Sequence, residues 1–222
     1  PRKNNYSYLQ PETVTSFETG YRTELLNKRV ILDADFYYNI YQNLMAQIDA
    51  NVPQTTVIDS IAIYLQNTAR QDRYRLWTNS KTISYNYGAS LSIAYVTLRQ
   101  YKITANVTYA KLHRKEKNDG LEDGFNTPAW AYNISCGHPS VYKSIGFNIT
   151  LRHQNAFLWQ SALATAMVPA YTTCDAQVNM DLVKKQLNLK VGATNLLNQY
   201  YYTYIGGAHV GAYCYVNITY RI

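Results

Sequence analysis

Val210-Gly211-Ala212-Tyr213-Cys214-Tyr215-Val216-Asn217-Ile218-Thr219-Tyr220-Arg221-Ile222 closes the sequence, and from Ala212 onward it alternates with a period of two. Ala212, Cys214, Val216, Ile218, Tyr220 and Ile222 fall on one side. Tyr213, Tyr215, Asn217, Thr219 and Arg221 fall on the other. Successive side chains of a strand point to opposite faces, so this run reads as a strand with one greasy and one polar face. The alternation alone also suits a half-buried strand of a soluble sandwich. Immediately upstream lie Asn195-Leu196-Leu197-Asn198-Gln199-Tyr200-Tyr201 and a Gly206-Gly207 loop.

The same alternation recurs back along the chain. Residues 14–22 set Phe17, Thr19 and Tyr21 against Glu18, Gly20 and Arg22. The second strand sets Val30, Leu32, Ala34, Phe36, Tyr38 and Ile40 against Asp33, Asp35, Tyr37, Asn39 and Tyr41. A third is expected over residues 74–96, a fourth over 101–111, a fifth over 130–137 and a sixth over 143–160. The seventh spans 170–182 and the eighth 187–194; the C-terminal run is the ninth. Connections alternate in length. Those near residues 25, 98, 139 and 184 are short, with His138-Pro139-Ser140 as the third turn and Lys184-Lys185 in the fourth. Those at 49–72, 115–128, 161–169 and 198–209 are longer, the first holding a short apolar piece at 61–65. Membrane barrels combine short periplasmic turns with long outer loops. The polar side of these strands carries full charges, namely Asp33, Asp35, Lys102, Arg152, Asp175, Asp181, Lys190 and Arg221. Strands as long as the third and sixth exceed the usual length in globular proteins.

Composition fits this reading. The 222 residues include 23 Tyr, 5 Phe and 3 Trp, while charged residues make up only 16%. Aromatic girdles at the two membrane interfaces consume such residues. The sequence has no apolar run of the 18 or so residues that a membrane helix needs. Net charge is +7, but the basic residues are scattered, with one small cluster at His113-Arg114-Lys115-Glu116-Lys117. Nucleic-acid recognition calls for a basic face or stripe, so no nucleic acid is expected as a partner.

Two segments resemble TonB-dependent outer-membrane receptors. Leu9-Gln10-Pro11-Glu12 followed by Ser16-Phe17-Glu18-Thr19-Gly20-Tyr21-Arg22 is similar to an "LKPE…SFE-GYR" segment inside the barrel of that family. The Asn195-Leu196-Leu197-Asn198 run, its loop and the final strand resemble the family's C-terminus. The wording of both matches looks like the branch common in Bacteroidota. The resemblance implies an all-β, transmembrane antiparallel barrel of about 22 strands. Residues 1–222 would supply its last nine strands, and the plug domain and TonB-interacting segment would lie upstream. It also implies energised import of a scarce nutrient across the bacterial outer membrane: an iron–siderophore, haem, cobalamin, a glycan or a peptide. Implied partners are outer-membrane lipid and lipopolysaccharide, the TonB complex, the remaining strands and plug, and a surface lipoprotein lid. A passive pore, or a structural protein of a larger envelope assembly, is the competing reading.

On this view Glu18, Arg22, Asp33, Asp35, Lys102, Arg152, Asp175, Asp181, Lys190 and Arg221 face the lumen or plug. Tyr220 and Ile222 belong to the C-terminal strand used for barrel insertion. His209 and Tyr204, in the loop around Gly206-Gly207, are the candidates for ligand contact. The other histidines, His113, His138 and His153, lie far apart, and His138 falls in an expected periplasmic turn. None stands at metal-ligand spacing. Cys136, Cys174 and Cys214 have no CxxC spacing and fall on the apolar side of their strands. No nucleophile–base pair is visible, so neither enzyme activity, a cofactor nor a metal is expected. Asn106, Asn133, Asn148 and Asn217 open Asn-x-Ser/Thr triplets inside strands and read as composition rather than glycosylation sites. Asp59-Ser60-Ile61 resembles a bacterial O-glycosylation tripeptide, though chance suffices for it. The chain begins Pro1-Arg2-Lys3-Asn4 and reads as a segment of a longer protein. Nine is an odd strand number, whereas bacterial barrels use even ones. The first and last strands are therefore expected not to pair with each other.

Overall fold

The computed structural model describes residues 8–114, 124–161, 164–182 and 186–220. In chain order the elements are β1 (Thr13–Leu25), β2 (Val30–Gln42), β3 (Met45–Pro53), α1 (Ile61–Leu65), β4 (Gln71–Asn79), β5 (Ser84–Val96), β6 (Lys102–Arg114), β7 (Trp130–Tyr142), β8 (Ile145–Gln154), β9 (Phe157–Gln160), β10 (Thr165–Val168), β11 (Tyr171–Leu182), β12 (Leu187–Thr194) and β13 (Tyr213–Tyr220). Single 3-10 turns, Ile58–Ser60 and Thr68–Arg70, flank α1. Nine strands form one sheet in the order β1-β2-β5-β6-β7-β8-β11-β12-β13. Neighbours from β6 onward are antiparallel. β1 and β13 stand at the two ends of that order and are not neighbours.

Register turns the alternation of each strand into two continuous faces. Ile145, Met180, Leu189 and Ile218 stand side by side. The next apolar row is Phe147, Val178, Val191 and Val216, and the one after it Ile149, Ala176, Ala193 and Cys214. Between them run polar rows: Asn179, Lys190 and Asn217; then Asn148, Gln177, Gly192 and Tyr215. A slip of one residue in any pair would mix these faces, so the pattern fixes the register.

Little of the apolar face is covered. Among the described residues only Phe157, Val168 and Ala193 are buried hydrophobics. Val191 is 48% exposed, Val216 66% and Ile218 68%. A sheet this long with its greasy face open to water would be a severe aggregation liability. Hydrocarbon removes that liability. Aromatic residues bracket the face in two belts. In one, Tyr38, Tyr87, Tyr109 and Trp130 neighbour one another across β2, β5, β6 and β7, with ring centroids 6.3, 6.4 and 4.6 Å apart. In the other, Tyr101 packs on His138 at 4.7 Å and Phe147 at 6.5 Å. Tyr101 and Tyr109 lie eight residues apart, about 26 Å along the strand. With the 35–45° tilt of membrane barrels this gives a band about 20 Å tall, close to the usual ~25 Å.

Several sequence boundaries need correction. The expected third strand divides: β4 pairs with β3 as a separate hairpin, and the sheet strand β5 begins at Ser84. Local bonds make the break. The Ser80 hydroxyl accepts from the Thr82 N–H at 3.2 Å and shares a bond with the Thr82 hydroxyl at 3.0 Å. Such bonds compete with a ladder. The expected sixth strand also divides. β8 stops at Gln154, and β9 folds back on β10 with Phe157 opposite the fully buried Val168. The expected turn at His138-Pro139-Ser140 is instead strand. β7 runs on to Tyr142 through a register shift between His138 and Tyr142, and the turn is Lys143-Ser144. A bulge accommodates Pro139, which has no N–H for the ladder. The turn at Lys184-Lys185 lies outside the described residues, as do Lys115–Asp123 of one long loop.

The described residues fall into two compact units. One takes residues from Pro1–Ser16, Asn39–Asn86 and Leu112–Asp123; the other takes Phe17–Tyr38, Tyr87–Lys111 and Gly124–Ile222. The first holds the β3–β4 hairpin and α1, whose apolar side (Ile48, Ala50, Val52, Tyr74, Leu76) lines a concavity. The second holds most of the sheet, both aromatic belts and the connection from β12 to β13.

Candidate functional site: the polar face and the connection from β12 to β13

The polar face is bonded from strand to strand. Asn133 donates to Asn106 at 2.9 Å, and the Thr104 and Ser135 hydroxyls meet at 2.6 Å. Asn188 donates to Asp181 at 2.8 Å, and the Tyr215 hydroxyl donates to Gln177 at 2.9 Å. Within single strands, Asn148 donates to Thr150 and Thr219 to Asn217. The asparagines of the four glycosylation-like triplets thus lie on this face as hydrogen-bonding residues.

The lumen candidates do not converge on one point; they spread along this face in pairs. Arg152 bonds Asp175, whose side chain is only 15% exposed. Arg22 faces Asp33 at 3.7 Å, and both are open enough that this pair contributes little. Asp35 accepts from the Ser90 hydroxyl at 3.2 Å and, with the exposed Glu18, lines a shallow concavity around Gly20. Lys190 stands in register between Asn179 and Asn217, and Lys102 opposite Gly137. Tyr220 ends β13, paired with Leu187. Arg221 and Ile222 lie outside the described residues.

The Asn-Leu-Leu-Asn run makes the corner from which the outer connection starts. Asn195 and Asn198 both have positive φ, 49° and 51°. Asparagine tolerates this left-handed region better than most residues. Asn195 is 2% exposed. Its amide donates to the Gln199 carbonyl at 2.8 Å, and its oxygen accepts from the Gln199 N–H at 3.1 Å. Its own N–H donates to Asp175 at 2.9 Å, so the Arg152–Asp175 pair is tied directly to the corner. Asn198 accepts from the Ala212 N–H at 2.8 Å, closing the far end of the connection. A Cβ on Gly211 would stand 3.0 Å from that same Asn198 oxygen, so the close approach favours glycine there.

Aromatic rings fill this connection. Tyr201 bridges Val210 and stacks on Tyr171 at 4.1 Å. His209 meets Tyr202 edge-on at 5.2 Å, and Tyr204 packs on Trp159 of β9 at 5.7 Å. His209 and Tyr204 are both exposed and belong to one hairpin-like loop. Their partners Tyr202 and Trp159 were not singled out in the sequence; the run Tyr200-Tyr201-Tyr202-Thr203-Tyr204 was the available signal. Chemically, the loop offers aromatic planes and one imidazole. Among the described residues no group of three His, Cys, Asp or Glu could hold a metal ion. The cysteines are free, and Cys136, Cys174 and Cys214 sit in apolar rows beside Ile149, Leu151 and Ala193. His138 lies within β7, where it contacts the Arg99 carbonyl at 2.7 Å.

Comparison with known proteins agrees with this geometry. No curated protein sequence matches closely. Among solved structures, the FrpB iron transporter of Neisseria meningitidis superposes with a TM-score of 0.67 at 13% identity, over 96% of this chain and 32% of that one. The siderophore receptor PiuA of Acinetobacter baumannii gives 0.65 at 18% identity, over 93% and 28%. The ferric-catecholate import receptor Fiu of Escherichia coli K12 gives 0.63 at 16%, over 95% and 27%. The chain thus spans about a third of the length of these structures, and at such identities the likeness speaks for the fold. The family model described as "TonB dependent receptor-like, beta-barrel" matches residues 1–196. The chain therefore belongs to the TonB-dependent receptor β-barrel family, a family of outer-membrane receptors and transporters.

Proposed function

We propose that residues 1–222 form the C-terminal portion of a receptor barrel that imports a scarce nutrient across the outer membrane. The observation that carries this reading is the two-faced nine-strand sheet, apolar between two aromatic belts and charged on its other side. A passive pore would share the sheet. The aromatic loop around His209 and Tyr204 favours a receptor, because stacked rings and an imidazole suit capture of a ligand with planar or apolar parts. Iron chelates stand first among the substrates, followed by haem, cobalamin, glycans and peptides. In this reading Glu18, Arg22, Asp33, Asp35, Lys102, Arg152, Asp175, Asp181, Lys190 and Arg221 face a plug, and an inner-membrane complex acts through TonB. The Leu9-Gln10-Pro11-Glu12 and Asn195–Asn198 wording supports a Bacteroidota-type receptor, which would work with a surface lipoprotein.

The test is growth of a strain lacking the gene on limiting iron supplied as defined ferric chelates, haem or cobalamin, with and without functional TonB. A TonB-dependent defect restricted to one supplement names the substrate. Normal growth on every supplement, together with steady open-channel conductance of the purified protein in planar bilayers, would defeat the receptor reading.

A further inference from the structure

The basic residues are scattered in sequence, but the fold gathers four of them at one end of the sheet. The described short turns that join neighbouring strands of the nine-strand sheet are residues 26–29, 97–101 and 143–144. They carry Lys28, Arg29, Arg99 and Lys143, with no Asp or Glu. All four residues belong to the same compact unit. Lys28, Arg99 and Lys143 are exposed, and Arg29 is half-buried. Lys28 has a loose contact, 3.8 Å, to the exposed Glu24. By contrast, the connection from β2 to β5 mixes both signs in sequence, with Asp59, Arg70, Asp72 and Lys81, and residues 155–170 and 195–212 carry no Asp, Glu, Lys or Arg.

Two further features set these turns apart. Each places an exposed apolar or aromatic residue beside its cation: Leu26 is 65% exposed, Leu98 81% and Tyr142 63%. The Lys143 ammonium lies 5.2 Å over the Tyr142 ring. Second, Lys28 and Lys143 occupy left-handed positions, φ 66° and 51°. Glycine takes such positions without steric cost, and asparagine at little. Lysine at both sites supplies charge where a turn alone would favour neither.

We propose that the short-turn rim is an interfacial anchor for anionic phospholipid headgroups of the membrane leaflet it faces. Short turns of outer-membrane barrels face the periplasm, so that leaflet is the inner one. Apolar tips at the headgroup–acyl boundary, with cations at the phosphates, are what such a surface requires. The attraction is electrostatic and fades when salt shortens the screening length.

The protein is extracted from the outer membrane in a mild non-ionic detergent, and its retained lipid is quantified by mass spectrometry. The native protein is expected to carry phosphatidylglycerol enriched over phosphatidylethanolamine relative to the membrane. Lys28→Gln/Arg29→Gln/Arg99→Gln/Lys143→Gln should lose the enrichment, by up to about fivefold per charge. Lys190→Gln, at mid-strand on the polar face, should keep it. A wash in 1 M NaCl should bring the native protein down to the level of the turn variant. If the fourfold variant does not fold, Lys28→Gln/Arg29→Gln and Arg99→Gln/Lys143→Gln, tested separately, should each lose part of the enrichment. Unchanged enrichment in the turn variants overturns the proposal. So does equal loss in the polar-face variant, or loss of a co-purifying acidic protein with the lipid ratio intact.

Discussion

The two faces of the sheet are held by different physics. On the polar face, side chains bond across strands: Asn133 to Asn106, Asn188 to Asp181, Tyr215 to Gln177, Arg152 to Asp175. On the apolar face the valine, isoleucine and leucine side chains have no polar atom to bond, and bonds such as His138 to the Arg99 carbonyl and His153 to Thr172 lie toward the strand ends. Val178, Val191, Val216 and Ile218 stand 48–68% exposed, with no second layer over them. A water-soluble sheet of this size would cover that face with helices or another sheet. Here the surrounding medium replaces the second layer. Substitutions on the two faces should therefore differ in sign and size according to what each face touches, not according to how buried each residue is.

The largest expected contrast comes from Val191→Arg. Val191 sits at the middle of β12, between Val178 and Val216. An arginine facing hydrocarbon near the bilayer midplane costs roughly 2–4 kcal/mol. Urea unfolding in lipid vesicles should show this loss, and Val191→Leu should show almost none. Equal tolerance of Arg and Leu would mean that the row does not face lipid.

Next in size is overpacking on the polar face, which separates two glycines that look alike in sequence. A Cβ at Gly88 would stand 2.4 Å from the Tyr109 carbonyl oxygen and 2.6 Å from the Tyr37 hydroxyl. The first of these is backbone and cannot swing away, so Gly88→Ala should cost about 1–3 kcal/mol. At Gly20 the nearest atom, 2.7 Å away, is the end of the Asp35 side chain, which can rotate. Gly20→Ala should therefore be within about 0.5 kcal/mol of neutral. Similar losses at both sites would show that strand entropy rather than contact sets the cost.

Legibility in the sequence follows the same physics. The nine sheet strands were readable because period-two alternation is a local signal, and Lys190, Asn188 and Gly192 against Leu189, Val191 and Ala193 expose it plainly. The hairpin strands β3, β4, β9 and β10 were not. β9 and β10 are four residues each, and β4 runs toward β5 with only Ser80–Ile83 between them. The turn after β7 was misplaced because Pro139 is a turn signal in general but sits in a bulge here. Lumen charges could be assigned to a face, yet the pairing of Arg152 with Asp175 depends on the β8–β11 register across 23 positions, which no local pattern encodes. The same holds for Trp159 against Tyr204.

A smaller effect is expected at the corner where the polar face meets the outer connection. Asn195→Ala removes both side-chain bonds to the Gln199 backbone at a nearly fully buried site and places alanine at φ 49°. The loss should be about 1–2 kcal/mol, concentrated in residues 195–212. Hydrogen exchange should quicken at Gln199 and Ala212 while the amides of β11 and β12 keep their protection. Uniform acceleration across the sheet would show that the corner is part of the general fold rather than a local clasp. Asn195→Gly, which adopts positive φ freely, should restore the backbone part but not the two bonds.

The smallest effect tests the comparison most closely, because it concerns the residue next to Val191. Lys190 follows the opposite face of the same strand, half-exposed, with Asn179 and Asn217 beside it. Neither neighbour is charged, and no ion pair with Lys190 occurs among the described residues, so Lys190→Gln removes no partner and leaves no charge stranded. Stability should change by less than about 0.5 kcal/mol. Lys190→Val should cost more than Lys190→Gln, because valine places an apolar side chain among amides and water, the reverse of the penalty at Val191. If instead Lys190→Val stabilised the protein in vesicles, the row of Asn179, Lys190 and Asn217 would have to face lipid, and the assignment of both faces would be inverted. Should Lys190→Gln leave stability intact while uptake of the cognate nutrient falls, the lysine would be contacting a charged group of a plug, the role proposed for the lumen residues as a set.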